Sequence, residues 1–159
     1  MKVKELMVPS VRAWFANDDL PIAARLMWEQ DCRCVPVLSD QARVIGMITD
    51  RDIWMAVFFQ GVPMSAIRVA EVMSRQLVIC SSDDDLSSAE TIMSDKKVRR
   101  LPVLNNEGRM VGLISFSDIA ERADLEHTER TRPRAVTDAQ VARLAAAISR
   151  PQRTAREHA

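Results

Sequence analysis

The stretch R-V-I-G-M-I-T-D-R-D-I at residues 43–53 returns as R-M-V-G-L-I-S-F-S-D-I at residues 109–119. Each copy is an apolar run interrupted by a glycine, a pattern that is typical of a buried β-strand. The run ends in a hydroxyl residue that is followed three places later by an aspartate, and this spacing predicts the start of a helix. We call this the hydroxyl–aspartate motif. Its two copies are Thr49 with Asp52, and Ser115 with Asp118.

The similarity between the two halves extends well beyond this stretch. Residues 3–53 align with residues 69–119 without a gap, and 17 of the 51 aligned pairs are identical. The offset of 66 residues is longer than the repeats of roughly 20–50 residues that build solenoids. The sequence therefore predicts two copies of one small domain, which we expect to pack face to face about a pseudo-two-fold axis.

Both copies begin with the signals of an amphipathic helix. Acidic residues precede an apolar run in N-D-D-L at 17–20 and in D-D-D-L at 83–86. Their side-chain oxygens are expected to cap the free N–H groups of the first turn, where negative charge also suits the helix dipole. The apolar positions repeat at helical spacing. They are Leu20, Ala23, Ala24 and Met27 in the first copy, and Leu86, Ala89, Ile92 and Met93 in the second.

Strand and turn signals follow the first helix in each copy. V-P-V-L at 35–38 and L-P-V-L at 101–104 predict buried strands that form hairpins with the opening stretches. A second helix is expected over about 50–60, ending at Gly61, and over about 117–123. Each copy is therefore β-α-β-β-α with a three-stranded sheet, and the fold class is α+β.

These patterns divide the chain into three parts. We expect repeat 1 at residues 1–66, repeat 2 at 67–123 and a C-terminal tail at 124–159. A break at 131–133 precedes a helix predicted over about 138–149. Its apolar stripe either docks on a partner or packs on its own domain, and we favour its own domain, with the last eight residues disordered. The stripe consists of Val141, Leu144, Ala145 and Ile148.

Composition argues against several classes of partner. The 159 residues carry a formal net charge of zero, so bulk attraction to nucleic acid or to an anionic membrane is not expected. No apolar run approaches the roughly 20 residues that span a bilayer. The N-terminus has no signal-peptide core, and we therefore expect a cytoplasmic protein.

The residues of a catalytic centre are also missing from the sequence. Both histidines, His127 and His158, follow the repeats, so a histidine-based centre cannot form in the repeats themselves. There is no glycine-rich phosphate loop and no nucleophile placed beside a base, so we do not predict an enzyme. Cys32, Cys34 and Cys80 are an odd number without metal-site spacing and are expected to be small buried hydrophobes.

Several short motifs occur in both halves at matching positions. They are E-L-M and E-V-M, the two D-D-L helix starts, the V-P-V and L-P-V strands, and G-M-I-T-D-R-D-I with G-L-I-S-F-S-D-I. In these motifs the chain resembles the CBS domain, in the tandem arrangement called a Bateman module. The resemblance covers about 1–123. It implies a regulatory module that senses an adenine nucleotide or a related adenosyl ligand.

The hydroxyl–aspartate motif suits such a ligand chemically. Backbone N–H groups are free where a strand becomes a helix, and a hydroxyl beside them favours an anion. The aspartate can accept hydrogen bonds from both hydroxyls of a ribose. Taken alone, the pattern is more often a simple helix cap. Its presence twice in a CBS-like frame favours a binding site.

The resemblance implies two clefts, each combining the motif of one copy with strand residues of the other. Arginines in the first cleft could hold phosphate in bidentate fashion, so we expect a phosphorylated ligand there. The second cleft is more apolar and suits a nucleoside, S-adenosylmethionine or no ligand. The first cleft would contain Met47, Thr49, Arg51, Asp52, Val78, Ile79, Val98, Arg99, Arg100 and Pro102. The second would contain Cys32, Arg33, Cys34, Pro36, Leu113, Ser115, Ser117 and Asp118.

Ligands and partners follow from the same resemblance. The expected ligand is AMP, ADP, ATP or S-adenosylmethionine, and no cofactor is required. W-M-A-V-F-F at 54–59 makes the second helix of repeat 1 unusually apolar. Such helices form the dimer face of Bateman modules, so we expect a homodimer, a disc of two chains, that signals to an unidentified effector protein. The alternative is a ligand-free scaffold that acts through this helix face or the tail.

Overall fold

The computed structural model describes residues 1–9, 11–128 and 135–150. Its elements follow the predicted order twice, which confirms an α+β fold of two similar repeats. Two short 3₁₀ turns lie at Val3–Glu5, before the first strand, and at Met64–Ala66, between the two repeats. The strands are β1 (Val8–Pro9), β2 (Trp14–Phe15), β3 (Cys34–Leu38), β4 (Val44–Thr49), β5 (Cys80–Ser81), β6 (Arg100–Leu104) and β7 (Met110–Ser115). The helices are α1 (Leu20–Glu29), α2 (Asp50–Gln60), α3 (Val69–Val72), α4 (Leu86–Lys96), α5 (Phe116–Thr128) and α6 (Asp138–Ser149).

The two sheets share the predicted three-stranded arrangement, but the sheet of repeat 2 has a fourth strand that was not predicted. In repeat 1, β2 runs parallel to β3, and β3 pairs with β4 in an antiparallel hairpin. In repeat 2, β5, β6 and β7 repeat this arrangement, and β1 adds a fourth strand by pairing with β7. The hairpin registers place Cys34 opposite Thr49 and Arg100 opposite Ser115. Equivalent residues of the two repeats therefore face the two copies of the hydroxyl–aspartate motif.

The two repeats exchange their leading segments. Val3 is buried in the core of repeat 2, whereas Ile67 and Val69 are buried in the core of repeat 1. The Leu20 N–H donates to the carbonyl of Ile67, and the Leu86 N–H donates to the carbonyl of Met1, both at 3.0 Å. Each core is thus completed by the other repeat, and the exchange follows the predicted pseudo-two-fold relation.

The acidic residues at the helix starts do not cap their helices as predicted. The side chains of Asp19 and Asp85, the N-cap residues of α1 and α4, make no capping hydrogen bond. Asp19 instead forms an ion pair with Arg68, and Asp85 pairs with Lys2 at 3.0 Å. Backbone carbonyls of the exchanged segments already accept the first helical N–H groups, so the carboxylates are free to hold those segments.

The glycine in each opening stretch lies against the backbone of the other repeat. A Cβ at Gly46 would lie 2.7 Å from the Ser74 carbonyl oxygen, and one at Gly112 would lie 2.7 Å from the Val8 carbonyl oxygen. Beside Gly46, the backbones of Met47 and Ser74 exchange two hydrogen bonds, of 3.1 and 2.8 Å. Glycine is needed there because another backbone occupies the space of a side chain.

The C-terminal helix packs on repeat 2, as the sequence analysis favoured. Thr137 and Gln140 form a capping box at its start. Leu144 and Ile148 are buried in the core of repeat 2 together with Val136. The predicted break at 131–133 and the last eight residues lie outside the described residues. Helix α5 extends to Thr128, five residues beyond its predicted end.

The helix face of repeat 1 has no such cover within the described part of the chain. Four large apolar side chains of α1 and α2 are strongly exposed: Trp28 at 88%, Trp54 at 69%, Phe58 at 69% and Phe59 at 73%. We call them the open helix face. Trp28 corresponds by the 66-residue offset to Ser94, which lines a groove between α4 and α6. Among the described helices, none is long and apolar enough to cross a membrane.

Candidate functional site

The hydroxyl–aspartate motif of repeat 1 forms a closed set of hydrogen bonds at the start of α2. The hydroxyl of Thr49 donates to Oδ2 of Asp52 at 2.6 Å, and the Thr49 N–H donates to the same oxygen at 2.9 Å. The Asp52 N–H in turn donates to the Thr49 hydroxyl at 3.2 Å. This is a capping box. The motif is therefore a structural cap, whatever else it does.

Repeat 2 contains the same arrangement. The Ser115 hydroxyl donates to Oδ2 of Asp118 at 2.8 Å, and the Ser115 N–H donates to it at 2.7 Å. In both copies the second carboxylate oxygen, Oδ1, has no hydrogen-bond donor among the residues that the structure describes. The cap therefore uses one oxygen of each aspartate and leaves the other available to a ligand.

The first cleft is a cavity of about 510 Å³ around the motif of repeat 1. Eight of the ten residues expected there line it: Met47, Thr49, Arg51, Asp52, Val78, Val98, Arg99 and Arg100. Ile79 and Pro102 do not; Ile79 is partly exposed elsewhere and Pro102 is buried in β6. Six further residues line this cleft without having been expected there: Arg33, Cys34, Asp50, Ser74, Gln76 and Lys97.

The lining of the first cleft is strongly basic. Two carboxylates, Asp50 and Asp52, face five cationic side chains. A formal charge of +3 in a concave site attracts anions and gives a phosphate several donors. The cations are Arg33, Arg51, Lys97, Arg99 and Arg100.

The second cleft is a separate cavity of about 530 Å³ around the motif of repeat 2. Five of the eight residues expected there line it: Cys32, Cys34, Leu113, Ser115 and Asp118. The structure adds Val8, Pro9, Val11, Arg12, Leu26, Gln30, Asp31, Val35 and Arg100. Two arginines and two aspartates balance, so this cleft is neutral. Eight of its fourteen lining residues are apolar residues or cysteines, against four of fourteen in the first cleft.

Three residues expected in the second cleft lie elsewhere. Pro36 is buried within β3, and Ser117 is exposed on the first turn of α5. Arg33 lines the first cleft. Its carbonyl accepts the Asp50 N–H at 3.1 Å, which holds the residue at the start of α2. This contact, formed just before β3 begins, was not visible in the strand pattern.

Arg100 lies at the boundary between the two clefts, which the sequence did not predict. It was assigned to the first cleft alone, but it lines both cavities, as does Cys34. Burial raises the pKa of the Cys34 thiol, while the nearby Arg100 guanidinium lowers it again in part. Burial likewise raises the pKa of Cys32, and Arg100 opposes this rise as well.

Two of the three cysteines are buried, as predicted for small hydrophobic residues. Cys34 and Cys80 are buried, but Cys32 is only half-buried and precedes β3. Within the described residues, no group of three or more Cys, His, Asp or Glu side chains could hold a metal ion. A wider groove of about 900 Å³ lies between the two hairpin turns, away from both motifs. It is lined by strand ends and by turn residues whose charged side chains are exposed, and neither copy of the hydroxyl–aspartate motif reaches it.

Comparison with known proteins agrees with this geometry. The profile of the CBS domain matches residues 3–53 and 69–124. CBS domain-containing protein YhcV of Bacillus subtilis is 33% identical over 118 residues, covering 74% of this chain and 82% of that protein. Several other curated relatives are longer, and their matches cover only 23% to 48% of their length.

Two solved structures share the fold. The CBS domain pair of protein MJ0100, in complex with 5′-methylthioadenosine and S-adenosyl-L-methionine, has a TM-score of 0.70 at 20% identity. The match covers 81% of this chain and 98% of the MJ0100 chain. CBSX2 in complex with AMP has a TM-score of 0.68 at 22% identity, covering 80% and 98%. Two profile matches in register with the internal repeat, and a relative at one-third identity, show that this chain belongs to the CBS-domain family as a tandem pair of CBS domains.

Proposed function

We propose that this CBS pair is a regulatory module that binds an adenine nucleotide in its first cleft. The observation that carries the proposal is the grouping of five cationic side chains around the Thr49–Asp52 motif in one cavity. Phosphate groups need such donors, and a ribose needs a carboxylate oxygen nearby. The AMP bound to CBSX2 supports the choice of ligand class. AMP, ADP and ATP are all candidates.

The free Oδ1 of Asp52 is the proposed acceptor for the ribose hydroxyls. Oδ2 already accepts two hydrogen bonds from Thr49, so the diol would be held mainly through one oxygen rather than through both. The Thr49 hydroxyl is also engaged, as donor and as acceptor. A phosphate would have to compete for its proton, and the arginines therefore carry most of the phosphate recognition.

The second cleft is proposed to take an adenosyl ligand with little or no negative charge. Its lining is apolar apart from Gln30, Ser115 and two balanced pairs of charges. A nucleoside or S-adenosylmethionine fits this lining better than a nucleoside phosphate. The ligands of the MJ0100 pair, 5′-methylthioadenosine and S-adenosyl-L-methionine, are of this kind.

Binding, rather than catalysis, is the proposed activity. A ligand that bridges both repeats would stabilise one arrangement of them, and it could shift the equilibrium only by its differential affinity for the two arrangements. An effector protein in the cytoplasm would respond to that change. We further propose a homodimer formed through the open helix face, because four exposed aromatic side chains there are more than a monomer's surface usually carries.

A ligand-free scaffold is the second candidate. The same open helix face supports it, since a surface that binds another chain does not require occupied clefts. The closed hydrogen bonding of both motifs is also compatible with a purely structural cap.

Thermal unfolding with AMP, ADP, ATP, adenosine and S-adenosylmethionine separates the two candidates. Ligand at about 100 times its dissociation constant should stabilise the fold by roughly 2.7 kcal/mol. We expect AMP to raise the melting temperature of wild type and Asp118→Ala, and to do so much less in Asp52→Ala. Asp40→Ala, at an exposed carboxylate of a hairpin turn, is the matched control. A failure of all five compounds to stabilise wild type would support the scaffold.

A further inference from the structure

Arg100 and Cys34 occupy equivalent positions in the two repeats, at the points where the clefts come together. Arg100 lies opposite Ser115 on the β6–β7 hairpin, and Cys34 lies opposite Thr49 on the β3–β4 hairpin. Both residues line both cavities. The pseudo-two-fold relation thus places one arginine, and not two, at the boundary between the clefts.

The side chain of Arg100 is not confined to the first cleft. Its guanidinium is close enough to lower the pKa of Cys34, which lines both cavities, and that of Cys32, which lines the second cavity but not the first. The side chain is half-buried, so it keeps some freedom to move. It can therefore contribute its charge on either side of the boundary.

The two clefts depend on this charge to different degrees. Without Arg100 the first cleft keeps four cations against two carboxylates. The second cleft would keep only Arg12 against Asp31 and Asp118, which leaves a formal charge of −1. Removing Arg100 therefore weakens the first cleft for anions but makes the second cleft repel them.

We propose that Arg100 is shared by the two clefts, so that a phosphate bound in the first cleft excludes a second phosphate from the other. This inference rests on the proposed function and adds a rule of coupling to it. A nucleotide in the first cleft draws the guanidinium towards its phosphate. The second cleft then becomes acidic and selects an uncharged or cationic adenosyl ligand. Because binding free energies are reciprocal, a phosphate in the second cleft weakens the first cleft to the same extent.

Titration calorimetry on the full chain tests the inference with AMP as the probe. Asp52→Ala removes the proposed ribose acceptor and so weakens AMP in the first cleft, which leaves Arg100 free to serve the second at AMP concentrations that do not fill the first. We expect the second cleft to bind AMP at least about fivefold more tightly in Asp52→Ala than in AMP-loaded wild type, at the low end of typical coupling. The double variant Asp52→Ala/Asp118→Ala should lose this binding, which assigns it to the second cleft. Adenosine, which lacks the phosphate, should show no such difference.

Arg100→Cys removes the shared charge by introducing the residue that repeat 1 has at this position. In this background the second cleft should bind AMP at least about fivefold more weakly than in Asp52→Ala, whether the first cleft is loaded or disabled. Lys97→Gln is the matched control, since Lys97 lines the first cleft only; it should weaken AMP in the first cleft and keep the coupling. Thermal unfolding of each variant without ligand checks the fold.

Three results would overturn the inference. Asp52→Ala could bind AMP in the second cleft no more tightly than loaded wild type, or not at all. The coupling could also persist in Arg100→Cys, or be equally strong with adenosine. In each case AMP binding to the first cleft of wild type would leave the proposed function intact. If wild type binds no AMP in either cleft, the proposed function itself fails, and the inference falls with it.

Discussion

Arg100 lines both clefts together with Cys34, its counterpart 66 residues earlier in the chain. The pair brings one residue of each repeat to the point where the two cavities meet. The two repeats have the same backbone arrangement here, but they differ in charge at this pair of positions. A fold with two equivalent halves thereby obtains two clefts of different chemistry.

The capping box at Thr49 should contribute measurably to stability. Thr49→Val removes the hydroxyl that joins the Asp52 N–H to Oδ2. Loss of an N-cap of this kind costs about 1 kcal/mol of unfolding free energy, which urea denaturation followed by circular dichroism can measure. Thr49→Ser keeps the hydroxyl and introduces the residue found in repeat 2, so it should remain within about 0.5 kcal/mol of wild type. An equal loss in both variants would show that the hydroxyl is not the cause.

A side chain at position 46 should be destabilising, because the backbone of Gly46 lies against the Ser74 carbonyl group. In Gly46→Ala the new Cβ would meet the Ser74 carbonyl oxygen and, at 2.9 Å, the sulfur of Met73. Relief requires a backbone shift, with a typical cost of 1–3 kcal/mol, and it disturbs the first cleft because Met47 and Ser74 both line it. We expect both lower stability and weaker AMP binding.

Gly61→Ala is the control for this prediction. Gly61 has a φ of +64° at the end of α2, and a Cβ there would meet nothing within 4 Å. The substitution should cost about 1–2 kcal/mol through backbone strain and leave the dissociation constant for AMP unchanged. If AMP binding weakened equally in both variants, general loss of stability rather than the Gly46 contact would be responsible.

Helix α6 should be an integral part of repeat 2. Leu144 is 5% exposed and belongs to its core, so Leu144→Ala should lower the unfolding free energy by about 2–5 kcal/mol. Arg143→Ala, at the exposed neighbouring position, should change it by less than about 0.5 kcal/mol. Guanidinium denaturation provides the comparison. A small effect of Leu144→Ala would mean that α6 detaches in solution.

The proposed dimer depends on the open helix face. Trp54→Glu puts a charge among the exposed aromatic side chains of α2, and we expect it to convert a dimer into a monomer. Leu125→Glu is the control: Leu125 is 59% exposed on α5 but lies outside the open helix face. It should leave the dimer intact. Analytical ultracentrifugation gives the mass of each variant, and a monomeric wild type would remove the proposed dimer.

Alkaline pH should destabilise the fold partly through Cys80. Burial raises the pKa of this thiol from 9.0 to about 12, and Asp84 adds to the rise. In the unfolded chain the thiol ionises near its ordinary value. The unfolded state therefore gains stability over the folded state as the pH rises from about 9 to about 12.

One such group changes the unfolding free energy by at most about 1.4 kcal/mol per pH unit. Urea denaturation under reducing conditions at pH 8 and pH 11 measures the change. Wild type should lose more stability between these values than Cys80→Ala, which has no thiol to titrate. Parallel losses in the two proteins would contradict the assignment to Cys80.

The internal repeat made most of the architecture predictable. Strand alternation and helix caps recur at a constant offset, so each copy checks the other. Helix α2 begins and ends where its Thr49 and Gly61 signals placed it. The end of α5 was predicted too early because residues beyond the helix stabilise its last turn. Glu126 accepts the N–H groups of Ala135 and Val136, at 2.6 and 3.0 Å.

The sequence pattern did not predict which residues of one repeat contact the other repeat. The spacing correctly indicated helix starts at Asp19 and Asp85, but not that these carboxylates pair with Arg68 and Lys2. Arg33 was expected in the second cleft because it precedes a strand residue of that cleft, yet it lines the first. Side-chain direction at the end of a strand depends on what packs against it, and here the other repeat does so.

Helix α6 makes the two halves of the molecule unequal as surfaces. It packs against α4 and α5, the helices that correspond to α1 and α2 of the open helix face. If the proposed dimer forms, repeat 1 provides its contact surface, whereas α6 covers part of the equivalent surface of repeat 2. An assembly built in this way favours a closed pair over an extended array.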